Sequence, residues 1–267
     1  MVKKLYILFA IFGITLIGFS VSAFNTKINP LSAYKLRVAT SVPSTWWTNG
    51  LVGYWNFDGP NTTTTSGALA GTRDVSNNGN WGTFYNGVKP VAGVVGQALS
   101  FDGVNDYVNA GNGASLNFGD KITIEAWFKP SVMRRHTIVN KGYAVAAANY
   151  LFYLESNNNL QLIVDNGPTA VSVSGSSLTT GQWYHLVVTY DSAGGTDNVK
   201  IYVNGAEDAS ATQTGDLANT QNLIIGLYGV YKTNGLIDEV RIYNRALSAD
   251  EVMMHYQQTR RNLRIKP

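Results

Sequence analysis

Apolar and polar positions alternate with a period of two in short runs along most of this chain, the pattern of half-buried strands. The clearest runs are Leu51-Val-Gly-Tyr-Trp-Asn-Phe-Asp58, Ile122-Thr-Ile-Glu-Ala-Trp-Phe-Lys-Pro130, Trp183-Tyr-His-Leu-Val-Val-Thr-Tyr190 and Gly235-Leu-Ile-Asp-Glu-Val-Arg-Ile-Tyr243. Shorter runs at 81–85, 96–103, 106–109, 136–141, 149–155, 159–165, 198–203 and 222–227 fit the same template, which gives about a dozen strands. Turn signals separate them. Asn157-Asn-Asn159 and Asn204-Gly205 each predict a hairpin, and Gly103-Val-Asn105 predicts another between 96–103 and 106–109. The polar stretch from Gly59 to Asn80 cannot form core and reads as surface loop. A capping box, Ser248-Ala-Asp-Glu251, then opens a helix with Val252, Met253 and Tyr256 on one side. The expected architecture is an all-β, two-sheet antiparallel jelly-roll sandwich with a short C-terminal helix.

One polar residue interrupts the pattern. Strict alternation places Leu236, Asp238, Val240 and Ile242 on one face of the last strand. A carboxylate on an apolar face must be hydrogen-bonded or hold a cation. Asp238 is therefore read either as a locally satisfied Asp or as a metal ligand.

Composition adds three constraints. The 267 residues contain no cysteine, so neither a disulfide framework nor a thiolate metal site is available. The net charge of +3 hides a split: residues 1–50 carry five Lys/Arg and no acid, and residues 258–267 carry four Lys/Arg and no acid. The middle, 51–257, holds 11 basic and 17 acidic residues, a net of −6. An acidic fold argues against a nucleic-acid partner. Finally, Lys3-Lys4, the apolar run Leu5 to Phe19 and Val21-Ser-Ala23 form a signal peptide, with an uncleaved membrane anchor as the alternative. Either places the folded part outside the cytoplasm. The expected organisation is export segment 1–23, linker 24–49, jelly-roll domain 50–257 and basic tail 258–267. Trp46-Trp47 at the linker's end is expected to pack on the domain edge.

Catalytic signatures are missing. The five Glu stand at 125, 155, 207, 239 and 251, and none begins the paired-carboxylate spacing that glycoside hydrolysis needs. Glu125 stands alone in its strand, and Glu239 is expected to face away from Asp238. His136, His185 and His255 lack zinc-ligand spacing. No Gly-x-Ser-x-Gly elbow or glycine-rich phosphate loop occurs.

Eight segments in order then carry a resemblance: Gly53-Tyr-Trp-Asn-Phe-Asp58, Asp74-Val-Ser-Asn-Asn-Gly-Asn-Trp-Gly82, Gly96-Gln-Ala-Leu-Ser-Phe-Asp-Gly103, Asp106-Tyr-Val108, Ile122-Thr-Ile-Glu-Ala-Trp127, Gly181-Gln-Trp-Tyr-His-Leu186, Tyr202-Val-Asn-Gly205 and Ile237-Asp-Glu-Val-Arg-Ile-Tyr-Asn-Arg-Ala-Leu-Ser248. This chain resembles the laminin G-like jelly-roll family, within the concanavalin A-like lectin/glucanase fold. The resemblance implies first and last strands that lie close together, with a structural calcium ion there held by the final-strand Asp and nearby carbonyls. Carried onto this chain, Asp238 is the ligand, with the carbonyls near Asp58 and Gly103 as partners. Asp74 is either a further ligand or an Asx-turn residue. The strand aromatics Trp55, Phe101, Trp127 and Trp183 fall at packing positions. Three loop tyrosines, Tyr143, Tyr228 and Tyr231, either contact a glycan or cover loop edges. The expectation is an exported, non-catalytic recognition or adhesion module for a glycan or glycoprotein. The alternatives are a display module without a ligand and, more remotely, a polysaccharide hydrolase.

Overall fold

The computed structural model describes residues 45–63, 70–117, 119–142, 150–157, 159–164, 171–173, 178–217 and 220–263. The export segment, Tyr143 and the last four residues lie outside the described residues. Two antiparallel sheets stack face to face. The eight-stranded sheet runs, from edge to edge, Ala206–Ala211, Val199–Val203, Tyr184–Asp191, Lys121–Pro130, Asn234–Tyr243, Gln97–Asp102 and Lys89–Ala92. Leu51–Trp55 also pairs with Asn234–Tyr243, so the first and last long strands are neighbours. The nine-stranded sheet runs Val171–Val173, Leu160–Val164, Tyr150–Leu154, His136–Lys141, Leu223–Ile225, Tyr107–Asn109, Gly82–Tyr85, Gly71–Thr72 and Thr62–Thr63.

The core follows from the alternation. Ile122, Ile124, Ala126 and Phe128 from one sheet meet Ile138, Phe152 and Leu162 from the other, all essentially without solvent exposure. Burying each such side chain contributes about 2 kcal/mol. Trp55 lies wholly inside and satisfies its indole by donating to the Asn80 carbonyl at 2.7 Å. The Asn204-Gly205 hairpin is present, with positive φ at both residues (53° and 83°), as a two-residue turn in right-twisted strands requires.

Two local expectations are corrected. Gln97–Asp102 and Tyr107–Asn109 form no hairpin, because they belong to different sheets. The Asp106 carboxylate accepts the Asp102 N–H at 2.9 Å and turns the chain across the sandwich. The last strand also breaks its alternation. Its register shifts between Asp238 and Arg241 against Lys121–Pro130, and Glu239 takes φ +54°. This β-bulge inserts one residue, so Ile237, Val240 and Ile242 enter the core while Asp238, Glu239 and Arg241 do not.

The C-terminal helix, Ala249–Leu263, begins at the predicted capping box. Ser248 N–H donates to Glu251 Oε2 at 2.8 Å, and Glu251 N–H donates to Ser248 Oγ at 3.3 Å. The helix covers the outer face of the eight-stranded sheet through Leu247 and Val252, against Val187, Tyr202 and Tyr243. It runs past 257, so the segment read as a basic tail begins inside it. Likewise Trp47, assigned to the linker, stacks on His255 with ring centroids 4.3 Å apart.

Candidate functional site

Each sheet turns one face to the core and the other outward, so function must be sought on the two outer faces. On the nine-stranded sheet, register builds one row across six strands: Thr83, Asn109, Ile224, Asn140, Leu151 and Ile163 are successive cross-strand partners. Val108 points inward and is buried, so its neighbours Tyr107 and Asn109 point out. A groove of about 530 Å³ lies here, lined by Tyr107, Asn109, Asn140, Asn222, Ile224 and Tyr228 among others. No described residue that lines it is charged. Tyr107 stacks flat on Tyr85, with centroids 4.6 Å apart and 1° between planes. Asn140 donates its amide to the Leu227 carbonyl. Its Oδ1 is buried without a partner, and so is the Tyr228 hydroxyl. Buried polar atoms are almost always bonded. Two unsatisfied ones in the residues of a single groove therefore mark a place for ligand or water.

The outer face of the eight-stranded sheet has the opposite character. Register aligns Tyr202, Val187, Glu125, Arg241 and Tyr54 in one row. Glu125 is fully buried beneath the helix. Its Oε1 accepts from His185 Nε2 at 2.9 Å and Arg241 Nη1 at 3.0 Å, and its Oε2 accepts from His255 Nδ1 at 2.7 Å. Burial alone would raise its pKa. The neighbouring His255 and Arg241 charges and the two histidine bonds outweigh burial and hold the carboxyl well below its usual range. His185 is pushed down by burial, against the pull of Glu125. Its Nδ1 has no partner, which suits a neutral ring. Arg241 also pairs with Glu239 and donates to Tyr54 Oη at 2.9 Å, and it lies 4.2 Å over the Tyr54 ring. Glu125 is thus alone in sequence and crowded in space, and two of the three scattered histidines meet on it. Nothing local in the sequence signals this, because the contacts join residues 60 to 130 positions apart.

The residues expected to hold calcium are distributed differently. Asp238 is buried, and its Oδ2 accepts the N–H groups of Val94 at 2.8 Å and Val95 at 3.1 Å. Burial, reinforced by Glu239, raises its pKa well above normal against those bonds. Asp58 brackets the same turn from the other side, accepting Gln97 N–H at 2.9 Å. The Gly103 carbonyl accepts Arg134 Nη2 at 2.8 Å, which puts a cation there already. Asp74 is saturated: it accepts from Tyr54 N, Ser76 N, Asn80 N and Asn80 Nδ2 at 2.9–3.1 Å, so the Asx-turn reading describes it. Among the described residues, no three His, Asp or Glu side chains gather where they could hold a metal ion. The Asp238 Oδ1 is buried without a partner, while the other expected ligands already accept N–H donors or a guanidinium.

Of the expected glycan contacts, Tyr228 lines the groove but is nearly buried, packed with Leu151 and Tyr153. Its segment, read as a loop between two strands, is a short hairpin of Leu227–Tyr228 with Tyr231–Lys232. Tyr231 sits beside the groove, held 4.2 Å beneath the Arg135 guanidinium. Tyr107, Asn109, Asn140 and Asn222 were missed. The signal for the first two was the polar–Val–polar alternation of 107–109.

With this geometry in place, comparison with known proteins is informative. A laminin G-type family model, described as the concanavalin A-like lectin/glucanases superfamily, matches residues 102–253. The chain belongs to that superfamily. Among solved structures, domain 4 of AbnA, a GH43 extracellular arabinanase from Geobacillus stearothermophilus, was determined in complex with arabinotriose. It is 22% identical with a TM-score of 0.58, over 76% of this chain and 97% of that one. The binding domain of Paraclostridial Mosquitocidal Protein 1 is 18% identical with a TM-score of 0.60, over 79% of this chain and 52% of that one. A Trypanosoma rangeli sialidase is 16% identical with a TM-score of 0.55, over 78% of this chain and 32% of that one. The superfamily member thus spans about half of the toxin domain and a third of the sialidase. At these identities the likeness is one of fold. No curated protein matches the chain.

Proposed function

We propose that this protein is an exported, non-catalytic carbohydrate-binding module that uses the groove of the nine-stranded sheet. The observation that carries the reading is the pair of buried, unpartnered polar atoms, Asn140 Oδ1 and Tyr228 Oη, in residues of a groove otherwise lined by planar amides, tyrosine and aliphatic carbon. Sugars present hydroxyls of both hydrogen-bonding senses on rings with apolar faces. Amides answer the first and the flat Tyr85–Tyr107 stack answers the second. The non-catalytic part rests on the carboxylates. Glu125 is sealed under the helix and bonded on both oxygens, and no described acid lines the groove. The bound arabinotriose of the arabinanase domain and its extracellular setting support the reading by analogy of fold.

The test is calorimetric titration of the full chain with neutral oligosaccharides, arabinotriose first, then a broad glycan array. Saturable binding without turnover is expected, weakened at least tenfold by Tyr107→Ala and by Asn140→Ala. Silence across the array would leave the display reading in its place. Turnover abolished by one carboxylate change would establish a hydrolase.

A further inference from the structure

The outer face of the eight-stranded sheet holds a second cavity, of about 360 Å³, independent of the groove. Leu51, Val75 and Val95 give it hydrocarbon walls, and Trp47 and Tyr54 give it aromatic ones. The charged groups that line it are Glu239 and Arg241, 2% and 7% exposed. Glu239 Oε2 takes both available donors, Arg241 Nη2 and the Tyr54 hydroxyl, the latter at 2.9 Å. Its Oε1 is buried with no partner. The Arg241 guanidinium is spent between Glu125, Glu239 and Tyr54. Glu239 also feels the charges of Glu125 and Asp58, and Asp238 feels that of Glu239. Two carboxyl groups, Glu125 and Glu239, thus share one guanidinium, and the two nearby histidines are committed to Glu125. The bulge holds Glu239 at φ +54°, which fixes the direction of its side chain.

A buried carboxylate oxygen without a partner, in a cavity whose one guanidinium is already spent, calls for a further donor. Thr48, Gln258 and Thr259 add a few neutral polar groups to the lining, but a bare metal ion is a poor candidate, since among the described residues no three His, Asp or Glu side chains converge to hold one. A cation that carries its own hydrocarbon suits both halves of the cavity. We propose that this cavity binds a primary alkylammonium group of the kind that ends a lysine side chain. The ammonium donates to Glu239 Oε1, and the methylene stem lies along Val75 and Val95 with the Trp47 and Tyr54 rings beside it.

The test uses full-length protein titrated with n-butylammonium chloride and followed by amide and indole NMR shifts. n-Butanol, glucosamine and calcium chloride run in parallel, and the variants are Glu239→Gln and Val95→Trp. The second fills the cavity and leaves the ion network untouched, so it decides the matter if the first variant unfolds. Expected is a saturable shift for n-butylammonium at least tenfold tighter than for n-butanol or glucosamine, and lost at least tenfold in the variants that fold. Equal affinity for n-butanol would reduce the site to an apolar hole. Binding retained in Val95→Trp would place the cation elsewhere. Displacement of n-butylammonium by calcium at comparable concentration would make it an inorganic cation site. Each of these outcomes overturns the proposal.

Discussion

The two sheets bury the same kind of residue on their inner faces and opposite kinds of residue on their outer ones. Outside the nine-stranded sheet, the row Asn109, Ile224, Asn140 and Leu151 is neutral and bears an open groove. Outside the eight-stranded sheet, the row Glu125, Arg241 and Tyr54 is ionised and lies largely under the C-terminal helix. The difference teaches where charge is spent. A charge can be buried only when paired and hydrogen-bonded, and the helix supplies His255 to complete the shell of Glu125. The groove of the nine-stranded sheet carries no such charge in its described lining. The part of one outer face that the helix covers therefore holds the structure together, and the other face leaves its groove open.

The most severe way to break this comparison is to remove the anion. Glu125→Ala leaves His185, His255 and Arg241 facing one another in the dry interior. Breaking one partner of a buried ion pair costs about 3–5 kcal/mol. In a domain of this size that lowers the unfolding midpoint by roughly 10 °C. Denaturant unfolding measures it directly. A loss under ~1 kcal/mol would show that the covered face is no more structural than the open one.

A milder cut falls on the open face. Tyr107→Ala is expected to change stability by no more than about 1 kcal/mol, because Tyr107 is only partly buried and lies outside the core. The same substitution is expected to weaken glycan binding about tenfold, near 1.4 kcal/mol. Because the described lining is uncharged, the dissociation constant should also stay constant between roughly 0.05 and 0.5 M salt. An affinity that falls steeply with salt would show that ionic contacts, absent from the described lining, dominate recognition.

The helix cap gives a pH test of the covered face. Glu251 is partly exposed. Burial would raise its pKa, but its bonds to Arg245 and the Ser248 N–H win and lower it from 4.5 to about 2. A carboxyl depressed in the folded state stabilises above its unfolded pKa, and that contribution is lost as pH falls from about 4.5 toward 2. After screening by solvent the contribution is about 1 kcal/mol. Glu251→Gln should flatten that part of the acid limb, read from urea midpoints at stepped pH. An unchanged limb would mean that Glu251 does not anchor the helix.

Strand periodicity made the architecture legible from the sequence. Ile122 to Pro130 and Trp183 to Tyr190 alternate cleanly because one face meets core and the other meets the helix or solvent, and they fell where expected. The capping box from Ser248 to Glu251 was equally clear, because its contacts span three residues. The sites were harder to read. The bulge at Glu239 leaves no mark in a period-two pattern, so Asp238 was placed on the wrong face. The Glu125 network and the groove both arise from register between distant strands, and register is a property of the assembled sheet. Tyr228 was found as a loop tyrosine without being seen to pack.

The smallest expected effect is also the sharpest test of what the family resemblance implied. Chelation should leave the unfolding midpoint unchanged. A bound ion held at a hundredfold excess over its dissociation constant would contribute about 2.7 kcal/mol, so its removal could not pass unnoticed. Two protein ties already act at this place. Arg134 ties the Gly103 carbonyl to the Lys232 carbonyl at 2.8 and 3.1 Å, and so joins the loop after Gln97–Asp102 to the start of the last strand. Val94 and Val95 N–H groups anchor Asp238 of the last strand to the turn before Gln97–Asp102. Both links hold the last strand against its neighbours, which is the task a structural cation at this place would perform. Arg134→Ala should consequently lower the midpoint where chelator does not. If calcium instead raises the midpoint, and Asp238→Ala abolishes the rise, then Asp238 Oδ1 is its ligand and the arginine tie is secondary.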